Sequence, residues 1–154
     1  MTGLNHGLTG AAIALTVKNP VLAVPLSFAS HYIQDAVPHF DYFAGKHDEY
    51  VLHRRFNVVL AIDAILSLTL MIVLAYLFPS QKWIIWGCMA AAASPDIVWA
   101  YYFGYVQRVQ NKKIRYGHLT RLHKFVQWSA TPQGIIGELA WATILIALIS
   151  NINR

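Results

Sequence analysis

Charged residues are scarce in this chain. Only 12% of its 154 residues are Asp, Glu, Lys or Arg, whereas 56% are hydrophobic, and the mean hydropathy is +0.43. This composition is too apolar for an ordinary soluble domain of the same length. We therefore interpret the chain as an integral membrane protein.

Cysteine is also scarce. Cys88 stands alone, which excludes an intrachain disulfide and leaves the redox compartment open. The first residues lack the charged region and small-residue cleavage site of a signal peptide, so we expect them to be part of the fold. Because no internal repeat, low-complexity run or linker interrupts the chain, residues 1–154 are predicted to form a single integral membrane domain.

Long apolar runs predict an all-α, polytopic membrane bundle of about four to five helices. The predicted helices cover residues 7–17, 20–37, 57–78, 82–104 and 132–150. The clearest is 57–78, whose length of about 33 Å is enough to cross a bilayer. The first is short, and it either re-enters the membrane or spans it together with residues 3–6. Residues 105–130 are predicted to form an amphipathic surface segment, with Trp128 as an interface anchor.

The basic residues are distributed unevenly. A net charge of +5 could indicate nucleic acid, but in a membrane protein it more often marks cytoplasmic loops and contact with anionic lipid. If five helices cross, only Lys18, Lys82 and Arg154 lie on one side and the other nine basic residues lie opposite. This predicts a bacterial inner-membrane protein with a cytoplasmic N-terminus and an external C-terminus. Lipid is the expected partner and nucleic acid is not.

The stretch SHYIQDAVPHFDY is the most suggestive local pattern. His31 and Asp35 are four residues apart, so on a helix they share one face about 6 Å apart. Pro38 turns the chain, which leaves His39 and Asp41 free to fold back toward that face. This pattern is typical of a metal site at a helix end. The alternative for His31 and Asp35 alone is an ordinary hydrogen-bonded pair.

Three acids lie inside predicted helices. Asp63, Asp96 and Glu138 are all roughly 9 to 12 Å from the helix ends on the cytoplasmic side. Ionised carboxylates at such depth pair, coordinate an ion or line a wet cavity. Divalent metal, held by imidazoles and carboxylates, is the interpretation we favour. Purely structural explanations stay open: helix packing for Asp63, capping for Asp96 and a favourable helix-dipole position for Glu138.

Several short motifs resemble the YdjM-like membrane-bound metal-dependent hydrolases. They are His6-Gly7, His31-x-x-x-Asp35, Pro38-His39-Phe40-Asp41, His53-Arg54-Arg55 and Ser94-Pro95-Asp96. That family is similar, at a distance, to bacterial zinc-dependent phospholipase C, an all-α phosphodiesterase with several zinc ions. The resemblance implies that His6, His31, Asp35 and Asp96 are metal ligands. His39 stands where the related P-D-x-D motif has its first acid.

These patterns together predict a membrane-embedded metal-dependent phosphoesterase that acts on a phospholipid or another lipid phosphate. Two or three divalent ions, zinc by the share of imidazoles, are the expected cofactor. The expected ligands are His6, His31, Asp35, His39, His53 and Asp96, with Glu138 and His123 as further candidates. Asp63 or Asp41 is the predicted general base or orienting group, and Arg54 and Arg55 are predicted to bind phosphate.

Two other classes of function remain open from the sequence. A non-enzymatic membrane module could use the polar residues as hydrogen bonds between helices and the basic segment 108–124 to bind lipid or a partner. A transporter could use Asp63, Asp96 and Glu138 as an ion relay. The transporter ranks third, because the helix halves at 13–17, 71–77 and 145–149 contain almost no polar residue.

Overall fold

The computed structural model describes residues 1–41, 54–107, 109–110 and 117–152. Within these ranges the chain is helical and contains no strand, as the sequence predicts. The helices are α1 (Gly3–Val17), α2 (Pro20–Asp35), α3 (Arg54–Leu77), α4 (Lys82–Ala100), α5 (His118–Val126) and α6 (Ile135–Ile152). A π-helical segment, Tyr101–Gln107, continues α4, and single 3-10 turns flank α6 and α5.

Three helical stretches are long and apolar enough to cross a membrane. They are Asn57–Leu77, Lys82–Ala100 and Pro132–Ile152, which is consistent with a membrane protein. Helices α1 and α2 have 15 and 16 residues, fewer than the roughly 20 that a lone spanning helix needs. The described residues therefore supply three of the four to five predicted spans.

Helix α1 lies in the middle of the bundle. Most of its residues are buried, from Asn5 to Leu15, and it packs against α2, α3, α4 and α6. Small side chains permit this close packing: a Cβ on Gly10 would lie 2.5 Å from the backbone oxygen of Cys88 in α4. A short helix surrounded by four others therefore positions the N-terminal part of the chain inside the bundle.

Replacing Gly10 by alanine should destabilise the protein. The added methyl group meets backbone atoms of α4, which cannot move aside as a flexible side chain would, so we expect a loss of about 1–3 kcal/mol. The matched control is Gly87→Ala, because the nearest atom to its added Cβ is a methyl carbon of Val24 at 3.9 Å. Thermal unfolding in detergent compares the two variants, and equal midpoints would contradict the packing.

Helices α3 and α6 carry most of their large apolar side chains on the outside. Ile65, Ile72, Ile136 and Ile144 are all more than three-fifths exposed. Apolar surface of this extent is typical of a face in contact with lipid or with another protein. The carboxylates of these two helices, Asp63 and Glu138, are instead turned toward the start of α1.

Proline is accommodated within α4. Pro95 has no N–H, so the carbonyl of Ala91 loses its helical partner, and the Ser94 hydroxyl donates to that oxygen instead at 2.8 Å. The helix therefore continues through Pro95 to Ala100. This arrangement keeps Asp96 on the helix and next to α2.

Helix α5 has two different faces. Thr120 and His123 are buried against the bundle, whereas Leu119, Leu122 and Phe125 are exposed. Within the predicted amphipathic segment 105–130, residues 118–126 thus form such a helix, and Trp128 beyond it is exposed. His123 on the inward face therefore lies in the interior of the bundle.

Candidate metal centre

Four helices bring five polar side chains together. His6 comes from α1, His31 and Asp35 from α2, Asp96 from α4 and His123 from α5; we call this group the His/Asp cluster. One ligand atom from each of His31, Asp35, Asp96 and His123 lies within 4.8 Å of the other three. Imidazole nitrogens and carboxylate oxygens at this spacing could hold a metal ion.

Asp35 is the centre of the cluster. Its Oδ2 lies 3.1 Å from His31 Nε2 and 2.8 Å from His123 Nε2, and its Oδ1 lies 3.2 Å from His6 Nε2. The α-amino group of Met1 also contacts Oδ1. Because Asp35 is fully buried, its charge depends on these cationic or proton-bearing neighbours for stabilisation.

Asp96 faces the same imidazoles from the other side. Its Oδ1 lies 3.7 Å from His31 Nε2 and 3.5 Å from His123 Nε2, while its Oδ2 lies 3.8 Å from His6 Nε2. Asp96 is the one member of the His/Asp cluster with substantial exposure, at 38% of its side chain. It therefore marks the side from which the cluster can be reached.

The tautomer of His31 follows from its backbone contact. His31 Nδ1 lies 2.8 Å from the carbonyl oxygen of Ala92, and only a protonated nitrogen can donate to a carbonyl. In the neutral ring, Nε2 then carries a lone pair, yet it faces Asp35 Oδ2 at 3.1 Å and His123 Nε2 at 3.2 Å. The His31 lone pair and the Asp35 oxygen are both acceptors, so a metal ion or a proton must lie between them, and the proton is either added to His31 or donated by His123 Nε2.

His6 lacks hydrogen bonds although it is fully buried. Neither ring nitrogen has a hydrogen-bond partner among the described residues, because the approach of Nε2 to Asp35 is close but poorly aligned. The ring stacks on that of His31 with centroids 4.0 Å apart. Buried polar atoms without partners are rare and costly, and coordination would satisfy the Nε2 lone pair. The residues present therefore fit a divalent metal.

Asp63 and Glu138, two further predicted site residues, bind the start of α1. Asp63 accepts hydrogen bonds from the backbone N–H groups of Gly3 and Leu4 at 2.8 and 2.9 Å. These are first-turn donors, which have no partner within the helix. Asp63 thus acts as a helix cap supplied from α3, and its predicted role as a base stays a prediction.

Glu138 holds the same end of α1 from α6. Its carboxylate accepts from the N–H of Thr2 at 3.0 Å, from the Thr2 hydroxyl at 2.8 Å and from the Asn5 amide. The N–H of Phe40 approaches it at 3.4 Å. Glu138 therefore fixes the segment that precedes His6, while its predicted role as a ligand stays untested.

His39 and Asp41 lie in the segment that follows α2. His39 is buried, its Nδ1 donates to the Val37 carbonyl at 2.8 Å, and it is not in the group of four convergent ligands. Burial, with the nearby α-amino group, lowers the pKa of His39. Asp41 pairs with Thr131 through its backbone N–H at 3.0 Å. Metal binding by His39 and catalysis by Asp41 stay predictions.

The remaining predicted residues lie at the edge of the described ranges. His53 falls outside them, and Arg54 and Arg55 are described only as the first residues of α3. Their predicted roles in metal and phosphate binding therefore stay predictions.

Gln127 is a neighbour of the cluster that the sequence analysis did not single out. Its Nε2 lies 3.2 Å from Asp35 Oδ2 and 2.9 Å from His123 Nε2. The signal in the sequence is its position four residues after His123, which places both side chains on one helical face. Gln127 can donate to the carboxylate and so fix its orientation.

Comparison with protein-family models, with curated proteins and with solved structures finds no match to this chain. The resemblance to YdjM-like hydrolases therefore depends on the short motifs alone. The geometry of the His/Asp cluster is an independent argument, because it depends on distances between residues of this chain.

Proposed function

We propose that this protein is a membrane-embedded, metal-dependent hydrolase that cleaves a phosphoester of a lipid. The membrane is the bacterial inner membrane, and the N-terminus faces the cytoplasm. The support is the predominance of basic residues in the segments expected on that side. The cluster would then lie close to lipid head groups.

One observation carries the metal part of the proposal. His31 donates through Nδ1 to Ala92, so its Nε2 lone pair points at Asp35 Oδ2, 3.1 Å away, and at His123. A cation relieves this contact between acceptors. Metal is preferred to a proton because His6, a third buried imidazole, also turns an unbonded Nε2 toward the same two carboxylates.

The arrangement of the carboxylates favours two ions. Asp35 and Asp96 each present one oxygen to His31 and His123 and the other oxygen to His6. His31, Asp35, Asp96 and His123 would hold one ion, and His6 would contribute to a second. The imidazole share of the donor set favours zinc. A third ion would need ligands such as His53.

The residues of the chain have distinct tasks in this proposal. Bound zinc supplies Lewis-acid activation of water and of a phosphoryl oxygen. His6, His31 and His123 would hold the metal as neutral rings, with the Ala92 carbonyl fixing the tautomer of His31. Asp96, which is partly exposed, lies where substrate can approach. Arg54 and Arg55 are the proposed phosphate ligands and Asp63 or Asp41 the proposed base.

Elemental analysis together with a phosphoester assay tests this proposal. Protein purified without chelator should contain at least one tightly bound divalent ion per chain. It should release phosphate from a lipid phosphate in detergent micelles, lose that activity with a chelator and recover it with zinc. Metal-free protein as purified, with no uptake of zinc, would exclude the metal centre; metal without hydrolysis of any phosphoester would exclude only the reaction.

A second candidate function, a non-enzymatic lipid- or partner-binding module, is favoured by one observation. Asp35 already has Met1, His31, His123 and Gln127 as close neighbours, so a protonated His31 would complete the cluster without metal. This candidate predicts no bound metal and a stable Asp35→Asn protein with unchanged function.

A further inference from the structure

A groove adjoins the His/Asp cluster between α2, α4 and α5. Its cavity volume is about 110 Å³, which is smaller than the ~300–1,000 Å³ of sites that enclose a whole small molecule. The groove therefore has room for a narrow part of a ligand and not for a whole one. Phe28 and Tyr32 form one wall, Val98 and Trp99 the second, and Leu119 the third. The surface that these residues present is almost entirely apolar.

His123 connects the groove to the cluster. The same residue lines the groove and places its Nε2 2.8 Å from Asp35 Oδ2. The rings of Tyr32 and Trp99 lie against it, with centroids 6.1 and 5.3 Å from that of His123. One side chain of the His/Asp cluster thus forms part of the wall of the apolar groove.

The mouth of the groove is surrounded by exposed apolar side chains. Val98 in α4 and Leu119 in α5 line the groove and are 46% and 59% exposed. Helix α4 is one of the three candidate spans, so this rim is expected to lie at the level of lipid. The hydrocarbon tail of a bilayer lipid could therefore enter the groove without crossing water.

We propose that the groove binds one hydrocarbon chain of the lipid whose phosphate is held at the His/Asp cluster. An apolar groove that touches a metal-binding cluster through His123 matches both parts of an amphiphile: the alkyl chain gains from leaving water, and the anionic head lies near the cluster. The identity of the lipid head group rests on the proposed function, whereas the binding site for the hydrocarbon chain, called the chain site below, rests on the groove alone.

Photolabelling with an alkyl phosphate that carries a diazirine at the end of its chain tests the groove directly. The reconstituted protein should be labelled mainly in peptides that contain Phe28, Tyr32 or Val98, and an unlabelled alkyl phosphate in excess should reduce this labelling. Val98→Trp should decrease the groove labelling about tenfold by filling the groove. Leu119→Trp, from the wall that α5 supplies, should have the same effect.

Val73→Trp is the matched control. Val73 lies in the candidate span of α3 and is 45% exposed, almost the same as Val98, so it receives the same bulky substitution away from the groove. It should leave the labelling unchanged. Labelling spread evenly over the exposed faces of all spans, and unaffected by Val98→Trp and Leu119→Trp, would overturn the chain site.

A turnover assay separates this inference from the proposed function. Val98→Trp should lower kcat/KM about tenfold for a long-chain lipid phosphate, yet leave a short, water-soluble phosphoester and the metal content unchanged. Equal losses on both substrates would contradict a chain site. If the wild-type protein labels in the groove but hydrolyses neither substrate, the chain site stands and the proposed reaction fails.

Discussion

The Asp35→Asn variant is expected to lose its bound divalent metal. The substitution keeps the size of the side chain but removes the charge and one oxygen that face three imidazoles at 2.8 to 3.2 Å. Changes outside the ligand shell already weaken metal binding by roughly 10- to 100-fold, so loss of a ligand should weaken it by at least about 100-fold. Zinc titration of chelator-treated protein measures the change.

The control for Asp35→Asn is the same substitution at Asp63. Asp63 is also a helical aspartate, but its two oxygens accept from the backbone of Gly3 and Leu4. Asp63→Asn should therefore retain the wild-type metal content and lose stability instead. Unchanged metal affinity in Asp35→Asn, or equal losses in both variants, would contradict the assignment of Asp35 as the central ligand.

Removing the Glu138 carboxylate should have the largest effect on stability. Glu138→Ala leaves the part-buried Thr2 N–H and Thr2 hydroxyl without their acceptor, and it leaves the buried Asn5 amide with only the Glu138 backbone carbonyl. A buried donor left unpaired costs about 1–3 kcal/mol, so the total loss should reach about 2–3 kcal/mol. Denaturant unfolding in detergent measures it.

Thr143→Ala is the matched truncation on the same helix. The Thr143 hydroxyl is exposed and bonds only to the Leu139 carbonyl of its own helix, so its removal should change stability by less than about 0.5 kcal/mol. The metal content of Glu138→Ala, measured where this variant remains folded, distinguishes a structural role of Glu138 from a role as metal ligand. Retained metal supports a structural anchor for α1, whereas loss comparable to that in Asp35→Asn supports the ligand role predicted from the sequence.

The helices and one half of the cluster follow from local rules. Apolar runs predicted α3, α4 and α6 to within a few residues, and Asn19-Pro20 marks the start of α2 because the Asn19 side chain accepts from Val21 at 3.0 Å. The spacing of His31 and Asp35 predicts that they share one helical face, and His31 Nε2 lies 3.1 Å from Asp35 Oδ2. These features depend only on residues close together in sequence.

The partners of Asp35 could not be ranked from the sequence. The sequence favours His31 over His123 as a ligand, yet His123 lies closer to Asp35 Oδ2 than His31 does, and no sequence pattern indicates that Gln127 lies beside Asp35. Glu138 was another candidate ligand, and its carboxylate binds Thr2 and Asn5. Which of several polar residues meet depends on how helices distant in sequence pack, and spacing along the chain carries no such information.

A helical chain, its apolar runs and the His31–Asp35 pair can be predicted from the order of the residues, because hydropathy and helical periodicity act over one or a few turns. The central position of α1, the completion of the cluster by His6, Asp96 and His123, and the apolar groove that His123 lines arise from contacts between distant helices. Close packing sets these contacts, because Gly10 lets α1 approach α4, while Asp63 and Glu138 hold its first turn in position.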